Sequence, residues 1–184
     1  ASTIEHKIND YYELLFWGGG HLMQYAFTHA MIIAWFYILY QIANLKNIEK
    51  PLIYIYLLNL ALALIGFAIP FIYDVNSFEY IDYFTKHMYF MGGIAAFVAG
   101  LYLIKPFIKN YSKNNPENIK VLRNCILWSV ILFATGGFIG LLIEEVNTII
   151  PAHYHGSIVG VSIALMGFCY AVMPKIVYSE IKGF

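Results

Sequence analysis

Charge is scarce in this sequence. Only 12% of its 184 residues are Asp, Glu, Lys or Arg, and 11 acids balance 11 bases. A net charge of zero removes the electrostatic basis for nucleic-acid binding, so no nucleic-acid partner is expected. Cysteine is nearly absent too. Cys125 and Cys169 each lie inside an apolar run, and no Cys-x-x-Cys-His occurs. That excludes covalent c-type haem and makes both thiols small packing residues rather than a disulfide. A short apolar core before a small-residue cleavage site is also missing. Ala1–Glu13 is polar, so a cleavable leader is not expected and the first apolar run serves as the insertion signal. No carboxylate falls in the middle of a long apolar run, which leaves no acidic proton path within the chain.

What is abundant is apolar length. The chain is 60% hydrophobic, too apolar for a soluble domain of this size. Charge-free runs cover Leu14–Leu45, Pro51–Tyr73, His87–Ile104, Asn124–Ile143 and Val146–Pro174. Each approaches or exceeds the ~18–20 residues that carry a helix across the hydrocarbon. None alternates as a barrel strand does. The expectation is an all-α polytopic membrane protein, one transmembrane domain over 1–184, with spans near 10–45, 51–73, 83–108, 120–144 and 150–178.

The loops set an orientation. Lys46 and Lys50 follow the first span. Lys105, Lys109, Lys113, Lys120 and Arg123 follow the third, and Lys175 and Lys182 follow the fifth. Asp74, Glu79 and Asp82, and then Glu144 and Glu145, lie on the opposite side. Basic residues stay in the cytoplasm, so the N-terminus is expected outside, the C-terminus in the cytoplasm, and the membrane is the inner, cytoplasmic one.

That orientation gathers the histidines. His153 and His155 open the fifth span and His87 the third. His21 lies about two turns into the first, with His29 about 12 Å deeper by helix rise. His6 precedes the membrane. Residues two apart on a helix differ by about 200° of azimuth and ~3 Å of rise, so His153 and His155 face nearly opposite sides at one depth. Intramembrane ionisable groups default to a functional reading. The plain alternative is a neutral ring satisfied by a backbone carbonyl, and for His29 alone that alternative is favoured.

Small residues repeat at four-residue spacing: Gly156-Gly160-Ala164, Gly92-Ala96-Gly100 and Gly136-Gly140. Such stripes serve close helix contact or a flat cofactor against the backbone. Gly18-Gly19-Gly20 costs about 2–3 kcal/mol of helix propensity against alanine and implies a bulky neighbour or local unwinding. His21 and Tyr25, four apart, share a helix face. A ring nitrogen and a phenol there suit metal ligation beside a proton or electron donor, although an ordinary aromatic face reads the same way.

Trp17-Gly18-Gly19-Gly20-His21-Leu22-Met23-Gln24-Tyr25 resembles the sixth helix of haem-copper oxidase subunit I, and Ala152-His153-Tyr154-His155-Gly156, with Gly160, Ala164, Met166 and Gly167 downstream, is similar to its tenth. The resemblance implies that His21 is a copper-ligand equivalent and Tyr25 the neighbouring catalytic tyrosine. It implies that His153 binds a high-spin haem and His155 a low-spin haem. It also implies membership of a respiratory complex that reduces oxygen or nitric oxide, with cytochrome c or quinol as electron donor. The chain departs from that family in its second span, where paired copper histidines are absent and Asn59 is the only strongly polar residue. The family's first-half helices, which carry the other low-spin ligand, are absent too. The resemblance therefore implies one or two haems, with copper incomplete, and other membrane subunits or a chain supplying the missing helices. Two rivals stay open. One is a membrane cytochrome b relaying electrons from quinol, with His87 pairing His153 or His155 on a haem. The other is a non-catalytic structural or assembly subunit.

Overall fold

The computed structural model describes residues 2–43, 47–111, 116–143 and 148–177, with side chains from Tyr11 onward except Tyr111. Lys46, Lys113, Glu144, Glu145, Lys182 and the side chain of His6 lie outside the described residues. Every regular element among those described is an α-helix: α1 (Ser2–Ala43), α2 (Glu49–Ile72), α3 (Phe78–Met91), α4 (Ile94–Tyr111), α5 (Glu117–Gly140) and α6 (Ile149–Val177). Five segments are long and apolar enough to cross a membrane: Tyr11–Ala43, Glu49–Ile72, Phe78–Asn110, Glu117–Gly140 and Ile149–Val177. Runs of this length form helices because only a helix satisfies every backbone polar group within the segment.

The third segment begins earlier than its charge-free run suggests. Ser77 caps α3, its hydroxyl accepting the Tyr80 N–H at 3.1 Å. Asp82 and Lys86 then pair across one turn at 2.7 Å, so the charges that seemed to lie outside the span sit within its first turns. Gly92 and Gly93 form a turn between α3 and α4. His87 consequently lies in the last turn of α3, roughly 13 Å of rise past Phe78 rather than at a helix mouth.

α1 is the axis of the bundle and packs against α2, α4, α5 and α6. Met31, Ile32, Ala34, Trp35, Phe36, Ile38 and Leu39 are buried around its circumference, as expected for a helix that is apolar on all sides. Ala95, Ala96 and Ala99 let α4 approach it. The tightest pair is α5 with α6. A side chain on Gly156 would come within 2.7 Å of the Gly136 Cα, and one on Gly160 within 2.7 Å of the Phe133 backbone. The α6 stripe is thus taken up by close helix contact, the first of the two uses expected of it. The Trp35 indole donates to Ser129 Oγ at 2.8 Å, and Ser129 donates to the Gly160 carbonyl at 2.7 Å, joining α1, α5 and α6.

A second cluster closes the end that carries the histidines. Ile69, Val75, Tyr80 and Phe84 pack there with Leu14, Leu15, Trp17 and Leu22. Gly18 accommodates the Tyr80 and Phe84 rings, while Gly19 and Gly20 face open space. α1 runs through all three glycines without unwinding, so the bulky neighbour expected of the triplet is found at Gly18.

Candidate functional site

Three histidines share one arrangement. His21 Nδ1 lies 2.6 Å from the Trp17 carbonyl, His153 Nδ1 lies 2.7 Å from the Gly136 carbonyl, and His155 Nδ1 lies 2.6 Å from the Pro151 carbonyl. A carbonyl only accepts, so each Nδ1 carries the hydrogen and each Nε2 keeps its lone pair. This is the tautomer of an axial haem or metal ligand, with the second ring nitrogen anchored to the protein.

The helices aim the rings differently. His153 is half-buried against α5, its ring lying where a side chain on Gly140 would have to go, 2.6 Å from Nδ1. His155 is exposed on another face of α6. The two-residue spacing thus separates them as helix geometry requires. Trp17 packs edge-on against His21 at 5.0 Å between ring centroids.

His87 behaves otherwise. It is 5% exposed, and its Nε2 donates to the Leu62 carbonyl at 2.8 Å. The Tyr25 hydroxyl is 3.4 Å from the same nitrogen. The ring therefore faces α1 and α2, and its anchored nitrogen is the one that a bis-histidine haem shared with His153 or His155 would use most readily. Tyr25 lies on the face of α1 that meets α3, and its backbone carbonyl accepts the Asn59 Nδ2–H at 3.0 Å. His29 donates Nε2–H to the Tyr56 carbonyl at 3.1 Å and packs on the Tyr56 ring at 4.1 Å. Its plain reading, a ring satisfied by a backbone carbonyl, describes what is seen.

Among the described residues, no three His, Cys, Asp or Glu side chains converge on a point that could hold a metal ion. The donor set fits separate single-histidine ligation and does not fit a three-histidine copper site. Sequence reasoning missed Gly66, whose lack of a side chain lets the His87 ring lie against α2. A Cβ there would fall 2.5 Å from His87 Cε1 and 3.0 Å from Nδ1. Nothing in the local sequence marks that glycine, because its partner is 21 residues away.

The chain is 30% identical over 201 aligned residues to an uncharacterised protein of Rickettsia prowazekii (strain Madrid E), a match covering 95% of this chain and 39% of the relative. It is 25% identical over 182 residues to an uncharacterised protein of Aquifex aeolicus (strain VF5), covering 96% of this chain and 42% of that one. The chain thus spans about two-fifths of the length of the curated relatives it matches. No protein-family model and no solved structure matches it.

Proposed function

We propose that this chain is the haem-binding half of a respiratory membrane oxidoreductase subunit of the haem-copper oxidase subunit I type, placed in the inner membrane and working toward reduction of oxygen or nitric oxide. The observation that carries the reading is the shared tautomer of His21, His153 and His155, each with Nδ1 held by a backbone carbonyl and Nε2 bare. Two of these bonds run to the carbonyl four residues back on the same helix, and the third, from His153, crosses to α5.

His153 would hold a high-spin haem and His155 a low-spin one. A bound haem supplies a one-electron iron couple there. The α5 backbone at Gly136 and Gly140 fixes the His153 ring, and the Pro151 carbonyl fixes His155. Tyr25 would place a phenol on the His21 side of α1. Copper is not proposed on this chain, because its histidines do not converge.

The charge pattern supports the orientation. Lys50, Lys105 and Lys109 are exposed, and Lys175 reaches Tyr37 Oη at 2.9 Å, as a long side chain does at a membrane edge. This would be the cytoplasmic end and the histidine end the outer one. The exposed face of α6 that carries His155 would be covered by the remaining length seen in the relatives or by a partner membrane subunit, which would supply the second low-spin ligand. The quinol relay is less well supported, because the Leu62 carbonyl already occupies His87 Nε2.

The test is a haem, iron and copper count on the purified membrane protein. Stoichiometric iron as haem supports the proposal. Protein free of both haem and metal would instead select the structural or assembly role.

A further inference from the structure

Charge is divided unevenly between the two ends of the bundle. Among the described side chains, Lys50, Lys105, Lys109, Lys120, Arg123 and Lys175 stand at one end with only Glu49 and Glu117. Glu13, Asp74, Glu79 and Asp82 stand at the other with Lys86. The ion pairs among the described residues are Lys86–Asp82 and Lys120–Glu117. Lys50, Lys105 and Lys109 are exposed and form none, and Lys50 does not pair with the adjacent, exposed Glu49.

Contacts across the bundle fix the level of these cations. His29 of α1 bonds the Tyr56 carbonyl of α2, and the Tyr25 carbonyl accepts from Asn59, so the two helices run antiparallel. Phe36 follows His29 by the same number of residues as Glu49 precedes Tyr56, which sets Lys50 near the level of Phe36. The Phe36 ring stacks on Tyr102 of α4 at 5.6 Å. Lys50 is thus about level with Tyr102, and Lys105 and Lys109 lie roughly 4.5 and 10 Å of rise farther toward the end. α2 and α4 also pack against each other. Each helix carries its cation at the head of an apolar face. Lys50 shares its side of α2 with Ile53, Tyr54 and Leu57, and Lys105 shares its side of α4 with Tyr102, Leu101 and Val98, all of them exposed.

We propose that the rim formed here by α2 and α4 binds anionic phospholipid, with Lys50, Lys105 and Lys109 on the headgroup phosphates and the exposed faces against the acyl chains. An unpaired ammonium at the edge of the hydrocarbon lacks a counter-charge, and an anionic headgroup supplies one at that depth. A lysine stem reaches it while lying along apolar surface. The cations need not meet at one point, because a leaflet offers each its own headgroup. A soluble phosphate would satisfy the ammonium groups and leave the apolar faces bare. Each such cation strengthens association with an anionic leaflet about five-fold. The surface requires only insertion of the helices and is independent of haem.

The test uses the purified full chain in phosphatidylcholine vesicles carrying a trace of spin-labelled phosphatidylglycerol or spin-labelled phosphatidylcholine. Electron paramagnetic resonance measures the fraction of each label that the protein immobilises. The expected result is a several-fold preference for phosphatidylglycerol that shrinks in high salt, as a charge interaction at a surface must. It falls to the phosphatidylcholine level in the triple variant Lys50→Gln, Lys105→Gln, Lys109→Gln and is retained in Lys86→Gln, at the opposite end. An unchanged immobilised fraction of phosphatidylcholine shows that the triple variant is still folded; if that fraction changes, the single variants Lys50→Gln and Lys105→Gln are read instead, each with a partial loss. Equal association of the two lipids with the wild type would overturn the proposal. So would a preference that survives these substitutions, one lost equally in Lys86→Gln, or one abolished by inorganic phosphate at constant ionic strength.

Discussion

His153 Nδ1 lies 2.7 Å from the Gly136 carbonyl oxygen, so the backbone of α5 orients a histidine of α6. Gly140, one turn further along α5, leaves the space that the ring fills. Gly140→Ala would place a methyl carbon 2.6 Å from Nδ1 and 2.8 Å from Cε1, and the ring must turn. The expected outcome is a loss of about 1–3 kcal/mol from overpacking, together with loss of the haem absorption assigned to His153. Thermal unfolding and optical spectra of purified protein check the two parts.

The glycine triplet separates two kinds of position on one helix. Gly18 is filled by Tyr80 and Phe84, whereas Gly19 and Gly20 meet nothing within 4 Å. Gly18→Ala should destabilise by about 1–3 kcal/mol. Gly19→Ala should stabilise the isolated chain by up to about 1 kcal/mol through helix propensity. Thermal midpoints in one detergent, moving in opposite directions, are the readout.

Ser129 bridges the Trp35 indole and the Gly160 carbonyl. Ser129→Ala leaves the buried Trp35 indole N–H unpaired, while the Gly160 carbonyl keeps its place in the α6 ladder, and should cost about 1–3 kcal/mol. Trp35→Phe removes the donor instead. The double variant should lose less than the sum of the singles, because the groups share one network. Unfolding curves of the four proteins test this.

His29, like His87, has its Nε2 taken by a backbone carbonyl, that of Tyr56, and it packs on the Tyr56 ring. His29→Phe should leave the absorption spectrum of the purified protein unchanged. A lost band would place His29 among the ligands.

Much of the scaffold was legible because each span depends on a property of a single segment. The runs at Pro51–Tyr73 and Val146–Pro174 correspond to α2 and α6 within a few residues. His153 and His155 diverge as their spacing dictates. The third span was the exception: Glu79 and Asp82 suggested a loop, but the Asp82–Lys86 pair and the Ser77 cap carry the helix through them. The site was less legible because it depends on contacts between helices. No local pattern shows that Leu62 and Gly66 receive His87, or that Gly136 anchors His153. A histidine bound to a carbonyl and one bound to iron look alike in sequence, so the same reading suits His29 and fails to distinguish His21.

The central claim concerns the bare Nε2 of His153 and His155. The direct test is the reduced-minus-oxidised spectrum of membranes carrying the wild type, His155→Ala, His153→Ala and His87→Ala. The account predicts that His155→Ala removes a low-spin haem band, that His153→Ala abolishes the carbon monoxide response of the reduced protein, and that His87→Ala retains both. Spectra unchanged by both α6 substitutions, or haem bands lost only with His87, would contradict it.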